Sequence, residues 1–380
     1  MPENKINFID LAAVYKLHQT EFDAAIASTL SSADFIGGKA LAEFTEALTE
    51  FTGSENIITC GNGTDALQIA LMALNLQAGD EIILPAFTYT ATAEVIALLN
   101  LKAIYVDVCL DTFNLAIKAV EAAIGPNTKV LMLVHLFGQC ADMEALLALA
   151  NKHNLYIIED AAQAIAATYT FTSGEKLQAG CMGTVGCTSF FPTKNLGAFG
   201  DGGAIFCQDD KLGSELKMIA NHGQKEKYLH ERIGVNSRLD TLQAAILNVQ
   251  LKHLPQSIAR KQAIAARYDA ALSNITGLSI PARNAKSTHV FHQYTLRISK
   301  YRNELKKYLA DAGIDSMVYY PTPIHLQKAY QSLEFPKETF PIAEQLCEEV
   351  LSIPIHATLT DAEVDYVIDK IKAFFAGITA

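Results

Sequence analysis

The sequence predicts an α/β fold in which a large domain with a mostly parallel sheet precedes a smaller α+β domain. Between about residues 56 and 208, short β-branched runs alternate with segments of helical spacing, the pattern of a wound parallel sheet. From about residue 251 the order changes to helix, strand, helix, strand and two final helices. Half of the 380 residues are hydrophobic and 19% are charged, so the chain can bury a large core.

Seven strands are expected in the large domain, and most of them precede a helix. The strand segments are NIITC, EIILP, AIYVDV, VLMLVHLF, LYIIED, CTSFF and GAIFC. Helical spacing is found in DALQIALMAL, ATAEVIALL, IKAVEAAI, MEALLALANKH, LGSELKMIA and DTLQAAILNVQLKHL. The strands are short and β-branched, whereas the helical segments place apolar residues three or four positions apart.

Pro255 marks the expected junction between the domains, because proline removes a helical hydrogen bond and interrupts a helix. We therefore expect a large domain at 1–250 and a small α+β domain at 251–380. In the small domain, SIARKQAIAARYDAAL and RNELKKYLADAG are expected helices, and VFHQYTLRI and SMVYY are expected strands. Two helices complete it.

Composition and charge exclude several classes of protein. The net charge is −11, which opposes nucleic-acid binding through phosphate contacts. Apolar runs such as VLMLV are shorter than the roughly 18 residues of a membrane helix, and MPENKINFID lacks a signal-peptide pattern. The seven cysteines include no CxxC pair, and Cys181 and Cys187 lack further ligands at metal spacing. We expect a cytoplasmic protein with reduced thiols, no metal site, and no membrane or nucleic-acid partner.

The first candidate site is Gly61-Asn62-Gly63-Thr64, between an expected strand and an expected helix. Small residues let backbone N–H groups approach a phosphate, and the helix N-terminus adds partial positive charge. With Ala66 the segment also matches the dinucleotide pattern G-x-G-x-x-A, but the acid that should end the next strand is missing. The segment is equally consistent with an ordinary strand-to-helix turn.

The second candidate is Asp160, at the end of LYIIED. A carboxylate there is costly to desolvate without a cationic or hydrogen-bonding partner, and a protonated pyridine nitrogen is one such partner. The alternative is a helix cap, because Asp160 and Gln163 have the spacing of a capping box before AAQAIAA.

The third candidate is Lys194, which follows Ser189 in SFFPTKNLGAFGDGG. A lysine between apolar residues and a glycine-rich turn can have a lowered pKa, which frees its amine to form a Schiff base. The alternative is a solvated lysine. A phosphate-sized loop, a carboxylate at a strand end and a lysine are together what pyridoxal phosphate requires from a protein.

With these residues assembled, the chain resembles the DegT family of nucleotide-sugar aminotransferases, pyridoxal-phosphate enzymes of the aspartate-aminotransferase fold (fold type I). The segments that carry the resemblance are NGTDALQIAL, PAFTYTATAE, VHLFGQCADM, IEDAAQA, CTSFFPTKNLGAFGDGGAIF, NHGQ and GVNSRLDTLQAAIL. They extend over nearly the whole chain. Within the family, the likeness is greatest to enzymes that aminate C3 of a 3-keto nucleotide sugar, particularly UDP-2-acetamido-2-deoxy-3-oxo-glucuronate.

The resemblance implies a set of cofactor-binding residues. Lys194 holds the cofactor as an internal aldimine, and Asp160 keeps the pyridine nitrogen protonated. Gln163 contacts the phenolic oxygen, and Tyr89 stacks on the ring, the alternative for Tyr89 being simple packing. The phosphate is bound by Gly63, Thr64 and Ser189, and by Asn236 from the neighbouring subunit of a homodimer.

The resemblance also implies substrate-binding residues. Arg238 faces the sugar, where a guanidinium suits a carboxylate or a diphosphate; its alternative is a structural ion pair with Asp240 or another acid. Further positions near the substrate are Phe35, Thr193, Tyr319 and Tyr320. Tyr319 stands where several relatives have histidine, Phe35 lacks the hydroxyl of a common tyrosine, and the stretch 171–182 is longer than usual.

The predicted function is therefore transfer of an amino group from L-glutamate to a UDP-linked 3-keto-hexuronate, giving an amino sugar for surface polysaccharide. The cofactor alternates between pyridoxal and pyridoxamine phosphate. Rival substrates are a dTDP-3-keto-6-deoxyhexose and a 4-keto sugar. Three rival functions are a dehydratase of the same family, which Lys194 argues against, a pyridoxal-phosphate-binding regulator without turnover, and an NAD-dependent oxidoreductase.

Overall fold

The computed structural model describes residues 5–331 and 335–379. Within these ranges the helices are α1 (Leu11–Leu17), α2 (Gln19–Ser32), α3 (Gly38–Thr52), α4 (Gly63–Ala73), α5 (Ala91–Leu98), α6 (Ile117–Ala123), α7 (Met143–His153), α8 (Asp210–Ala220), α9 (Thr241–Leu272), α10 (Arg302–Asp311), α11 (Pro341–Glu349) and α12 (Asp361–Thr379). The strands are β1 (Asn56–Cys60), β2 (Glu81–Pro85), β3 (Lys102–Val106), β4 (Thr128–Val134), β5 (Tyr156–Asp160), β6 (Thr168–Thr170), β7 (Lys176–Gln178), β8 (Val185–Ser189), β9 (Gly203–Cys207), β10 (Gln224–Glu226), β11 (Leu229–His230), β12 (Leu278–Ser279), β13 (Tyr294–Ile298) and β14 (Val350–Ile353).

The central sheet has seven strands in the order β1-β9-β8-β5-β4-β2-β3. Strand β9 is antiparallel to both of its neighbours, and the remaining pairs are parallel. This confirms the mostly parallel seven-stranded sheet that the sequence predicts. The register sets Val134, Asp160 and Cys187 side by side, so the carboxyl ends of β4, β5 and β8 share one edge.

Helices cover both faces of this sheet. One apolar cluster joins the sheet to α4, α5 and α8, through residues such as Leu67, Ile96 and Leu216. A second cluster joins the opposite face to α3, α7 and α9, through residues such as Phe44 and Leu146. The fully covered faces explain why the central strands read as continuous apolar runs.

Helix α9 runs without a break from Thr241 to Leu272 and contains Pro255. The interruption expected at Pro255 is therefore wrong. Packing of α9 against α2, α3 and α12 offsets the hydrogen bond that proline removes. The predicted domain division at 250 and 251 falls inside this helix and stays a prediction.

The C-terminal sheet differs from the expected one. Its three antiparallel strands follow the order β12-β13-β14 and pack with α10 and α12 around a separate apolar cluster. The expected strand SMVYY is wrong, because only Met317 of this segment pairs, in an isolated bridge with Ser352. Strand β14 occupies the place beside β13 instead, because α11 leads directly into its apolar run.

None of the helices in the described ranges is long and apolar enough to cross a membrane.

Candidate active site

The turn at residues 61–64 joins β1 to α4, as the sequence predicts. Asn62 caps the helix, because its side-chain oxygen accepts the backbone N–H three residues further on at 2.8 Å. A Cβ on Gly63 would lie 2.7 Å from the Cβ of Ser189, so glycine is what allows β8 to approach this turn. Gly63, Thr64 and Ser189 thereby meet at a helix N-terminus, which favours an anion.

Asp160 ends β5 and is 8% exposed. Burial raises the pKa of its carboxyl, while a hydrogen bond from the Ala162 N–H at 3.0 Å and the positive charge of Lys194 act in the opposite direction. Residues 162–166 form turns and no helix starts there, so the capping alternative is wrong. In the described part of the chain, Ala162 is the only hydrogen-bond donor to the Asp160 carboxyl. This buried carboxyl is therefore free to receive a cationic ring nitrogen.

Lys194 lies in the loop between β8 and β9, where its backbone N–H is bonded to the Phe191 carbonyl at 2.8 Å. Burial lowers the pKa of its amine, and Asp160 raises it. The two groups are therefore close enough to influence each other. A buried amine of lowered pKa is available in its neutral, nucleophilic form, which suits a Schiff base. Thr193, beside it, is half-buried.

Gln163 connects the carboxyl end of β5 to the C-terminal half of the chain. Its side-chain oxygen accepts the Phe137 N–H at 2.8 Å, and its amide nitrogen donates to the Tyr320 hydroxyl at 3.0 Å. The ring of Tyr89 lies 6.2 Å from the ring of Tyr320 and is 56% exposed, so packing does not account for it. Burial and, to a lesser extent, Asp160 raise the pKa of Tyr320. Hydrogen bonds, ring contacts and electrostatic interactions thus link five predicted residues: Tyr89, Asp160, Gln163, Lys194 and Tyr320.

Three predicted residues lie on the surface of the single chain. Phe35 is 51% exposed, and Asn236 and Arg238 are exposed as well. Arg238 donates to the Asn221 side chain at 3.2 Å, and in the described part of the chain it forms no ion pair with Asp240 or another acid. The structural alternative for Arg238 is therefore wrong, and its guanidinium is available to a ligand. Tyr319 is half-buried beside Tyr320.

Ser237 is a residue at this site that the sequence analysis did not single out. Its hydroxyl accepts the Gly61 N–H at 2.8 Å and donates to the Asp65 carboxylate at 2.6 Å. The side chain is 2% exposed. Ser237 therefore joins the segment of Asn236 and Arg238 to the turn at residues 61–64. Its place in the GVNSRLD motif, between those two residues, was the available signal.

The fully buried Glu159 also escaped the sequence analysis. Its carboxylate accepts hydrogen bonds from His135 at 2.8 Å and from backbone N–H groups at Gly180 (2.8 Å), Met182 (2.7 Å) and Gly183. These bonds attach the end of the stretch 171–182 to the strand that carries Asp160. Earlier in that stretch lie the turn that follows β6 and the strand β7, which pairs with β6 in an antiparallel hairpin.

One group of described residues, His18, Glu21 and His253, is close enough together to bind a metal ion. Glu21 already accepts hydrogen bonds from His253 at 2.9 Å and from Lys252 at 2.6 Å. The imidazole rings of His18 and His253 are stacked, with their centres 3.7 Å apart. The expectation of no metal site stays a prediction.

Comparisons with known proteins agree with this arrangement. Residues 16–372 match the model of the DegT/DnrJ/EryC1/StrS aminotransferase family. A UDP-2-acetamido-2-deoxy-3-oxo-D-glucuronate aminotransferase of Pseudomonas aeruginosa is 43% identical, over 94% of this chain and 97% of the relative. A pleiotropic regulatory protein of Geobacillus stearothermophilus is 42% identical over 97% and 98%. A dTDP-3-amino-3,4,6-trideoxy-alpha-D-glucose transaminase of Streptomyces venezuelae is 39% identical over 97% and 96%.

Two solved structures have a fold similar to that of this chain. S. venezuelae DesV in complex with a ketimine intermediate superimposes with a TM-score of 0.94 at 38% identity, over 98% of this chain and 99% of that one. NtdA of Bacillus subtilis, with its bound cofactor pyridoxamine phosphate, gives a TM-score of 0.90 at 28% identity, over 99% and 86%. These matches confirm the predicted aspartate-aminotransferase-like fold.

Proposed function

Because the chain belongs to the DegT/DnrJ/EryC1/StrS aminotransferase family, we propose that it transfers the amino group of L-glutamate to C3 of a UDP-linked 3-keto-hexuronate. The observation that carries the catalytic part is the juxtaposition of Lys194 and Asp160 beyond the carboxyl edge of the sheet. The choice of sugar is supported by the 43% identity to the P. aeruginosa enzyme.

Two parts of the prediction are confirmed by the comparisons. The chain is an aminotransferase, and its cofactor is pyridoxal phosphate. The residues fit this cofactor, because no described cation is in contact with the buried carboxyl of Asp160, and Gly63 lets Ser189 approach the N-terminus of α4. When bound, the cofactor supplies an electron sink for negative charge on the donor carbon.

We assign the reacting groups to Lys194 and Asp160. Lys194 would hold the cofactor covalently through its Nζ, and that amine would move a proton to and from the donor carbon. The carboxylate of Asp160 holds a proton on the ring nitrogen, and burial strengthens that interaction. The same two groups serve the second half-reaction on the keto sugar.

The remaining cofactor contacts follow from the positions described above. The N-terminus of α4, with Gly63, Thr64 and Ser189, binds the phosphate. Tyr89 stacks on the ring, and the second N–H of Gln163 is directed to the phenolic oxygen. We further propose a homodimer in which Asn236 reaches the phosphate of the neighbouring subunit, which agrees with its exposure on the single chain.

For the sugar we propose Phe35, Thr193, Arg238, Tyr319 and Tyr320. The exposed guanidinium of Arg238, which donates one hydrogen bond to Asn221, suits the carboxylate of a hexuronate or the diphosphate of the nucleotide. We place the enzyme in the cytoplasm and its amino-sugar product in surface polysaccharide synthesis.

The absorption spectrum with pyridoxal phosphate, before and after excess L-glutamate, tests the cofactor linkage and the donor. We expect a yellow band that glutamate converts to the shorter-wavelength pyridoxamine form. Lys194→Ala should lose the covalent band, and its transamination rate should fall by more than about a hundredfold. Lys211→Ala, on the exposed face of α8, is the matched control. Near-normal turnover by Lys194→Ala would refute the assigned role of the lysine.

A panel of keto sugars tests the substrate. We expect the UDP-linked 3-keto-hexuronate to be aminated with the highest kcat/KM. The second candidate is a dTDP-3-keto-6-deoxyhexose, which the 39% identity to the S. venezuelae transaminase favours. A preference for a sugar without the carboxylate, including a 4-keto sugar, would overturn the first choice. A yellow band of bound cofactor without turnover of any sugar would favour a regulator. The G. stearothermophilus relative carries the name of a regulatory protein.

A further inference from the structure

The hydroxyl of Tyr320 lies against the amide of Gln163 and not in open space facing a sugar. We infer that Tyr320 is a positioning residue for the cofactor, which fixes the Gln163 amide so that its second N–H faces the phenolic oxygen. This inference rests on the proposed contact between Gln163 and that oxygen. It gives Tyr320 a function in addition to, and separable from, its proposed contact with the sugar.

The first step is the orientation of the Gln163 amide. The backbone N–H of Phe137 can only donate, and it lies 2.8 Å from one end of the amide. That end must be the oxygen, so the opposite end is the NH2 group. The NH2 group lies 3.0 Å from the Tyr320 hydroxyl and donates one of its two protons there. The other proton has no acceptor in the described part of the chain.

The second step is the state of the Tyr320 hydroxyl. Its oxygen accepts from Gln163, so its own proton points elsewhere, and no described residue accepts it. The ring is held from two sides, by Phe87 at 5.9 Å and by Tyr89 at 6.2 Å between ring centres. Burial raises the pKa of this phenol, which keeps it protonated and neutral. Tyr320 is therefore a fixed neutral acceptor for Gln163.

The third step is what these two anchors do together. A single hydrogen bond, from Phe137, would leave the Gln163 amide free to pivot about its oxygen. The second bond, to Tyr320, removes that freedom. Gln163 and Tyr320 are 157 positions apart, so the bond also links the carboxyl end of β5 to the C-terminal half of the chain. A correctly aimed N–H stabilises negative charge on the phenolic oxygen. It therefore lowers the pKa of the proton that this oxygen shares with the lysine linkage.

Tyr320→Phe, loaded with pyridoxal phosphate, tests this inference without any sugar. We expect the pH at which the yellow band changes to rise by about half to one unit. We also expect the dissociation constant of the cofactor to rise about 2–10-fold, because one hydrogen bond no longer fixes the amide. Tyr308→Phe is the matched control, since Tyr308 lies on α10, packs on Phe374 at 5.4 Å between ring centres and is not among the residues proposed for the cofactor or the sugar. Its band should change at the wild-type pH.

Gln163→Ala provides an independent arm if Tyr320→Phe folds poorly. It should shift the band in the same direction, and adding Tyr320→Phe to it should cause no further shift, because the two residues act through one contact. Additive shifts would overturn the inference. A wild-type band and cofactor affinity in Tyr320→Phe, with only the KM of the sugar changed, would also overturn it and leave the proposed function standing. Failure of the wild-type chain to form any band would overturn both.

Discussion

A single hydroxyl group, that of Ser237, joins two segments of the site that are about 175 positions apart in sequence. It accepts from Gly61 and donates to Asp65, so Ser237→Ala leaves the half-buried Gly61 N–H without this acceptor. We expect a loss of about 1–3 kcal/mol of stability. We also expect weaker binding of pyridoxal phosphate, because the turn that leads into α4 is no longer held. Thermal unfolding with and without the cofactor measures both effects.

Ser214→Ala is the matched control for Ser237→Ala, because Ser214 lies on the exposed side of α8 and bonds only within its helix. It should unfold at the same temperature as the wild-type protein. If Ser237→Ala also unfolded at that temperature and bound the cofactor normally, the hydroxyl would have no share in holding the turn.

Local sequence identified only part of the candidate site. Asp160 and Lys194 could be found because each lies in a recognisable local pattern, after a buried strand or before a glycine-rich turn. The contacts of Ser237 and Tyr320 could not be found, because their partners lie more than 150 positions away. The chain folding that brings them together leaves no local periodicity to read.

Among the elements, the seven central strands were predictable because buried parallel strands form short continuous apolar runs. Strand β14 was missed because Val350–Ile353 follows α11 without a turn, so its apolar residues extend the helical pattern. Helix α9 was divided at Pro255 because local propensity was given more weight than packing. Helices α2, α3 and α12 contact α9, and that long-range burial is invisible in its own sequence.

Helix α9 therefore keeps Pro255 at a cost, and removing the proline should stabilise the protein. Pro255 is exposed, so Pro255→Ala deletes no buried contact and restores one helical N–H. We expect a gain of about 1–3 kcal/mol, the helix penalty of proline less the greater freedom of the unfolded chain. Chemical unfolding measures it, with the exposed neighbour variant Gln256→Ala as the control. Lower stability of Pro255→Ala would show that the helix depends on the proline ring.

Across the whole molecule, buried neutral histidines make the fold sensitive to acid. Burial lowers the pKa of His289 to about 3, lowers the pKa of His292 well below its ordinary value and lowers that of His356. As the pH falls below about 6.5, the unfolded chain gains protons that the folded chain does not. The contribution of these histidines to stability should therefore be constant above this pH and decrease progressively below it, by about 2 kcal/mol at pH 5 for His289.

His289→Asn tests this pH dependence, because Asn keeps an acceptor for the Phe291 N–H, which His289 binds at 3.0 Å, and cannot take up a proton. The stability lost between pH 7.5 and pH 5 should be smaller by about 2 kcal/mol in this variant, even if its stability at pH 7.5 is lower. His153→Asn, on the exposed end of α7, should lose as much as the wild-type protein. An equal loss in all three proteins would mean that carboxyl groups, and not buried histidines, control acid unfolding.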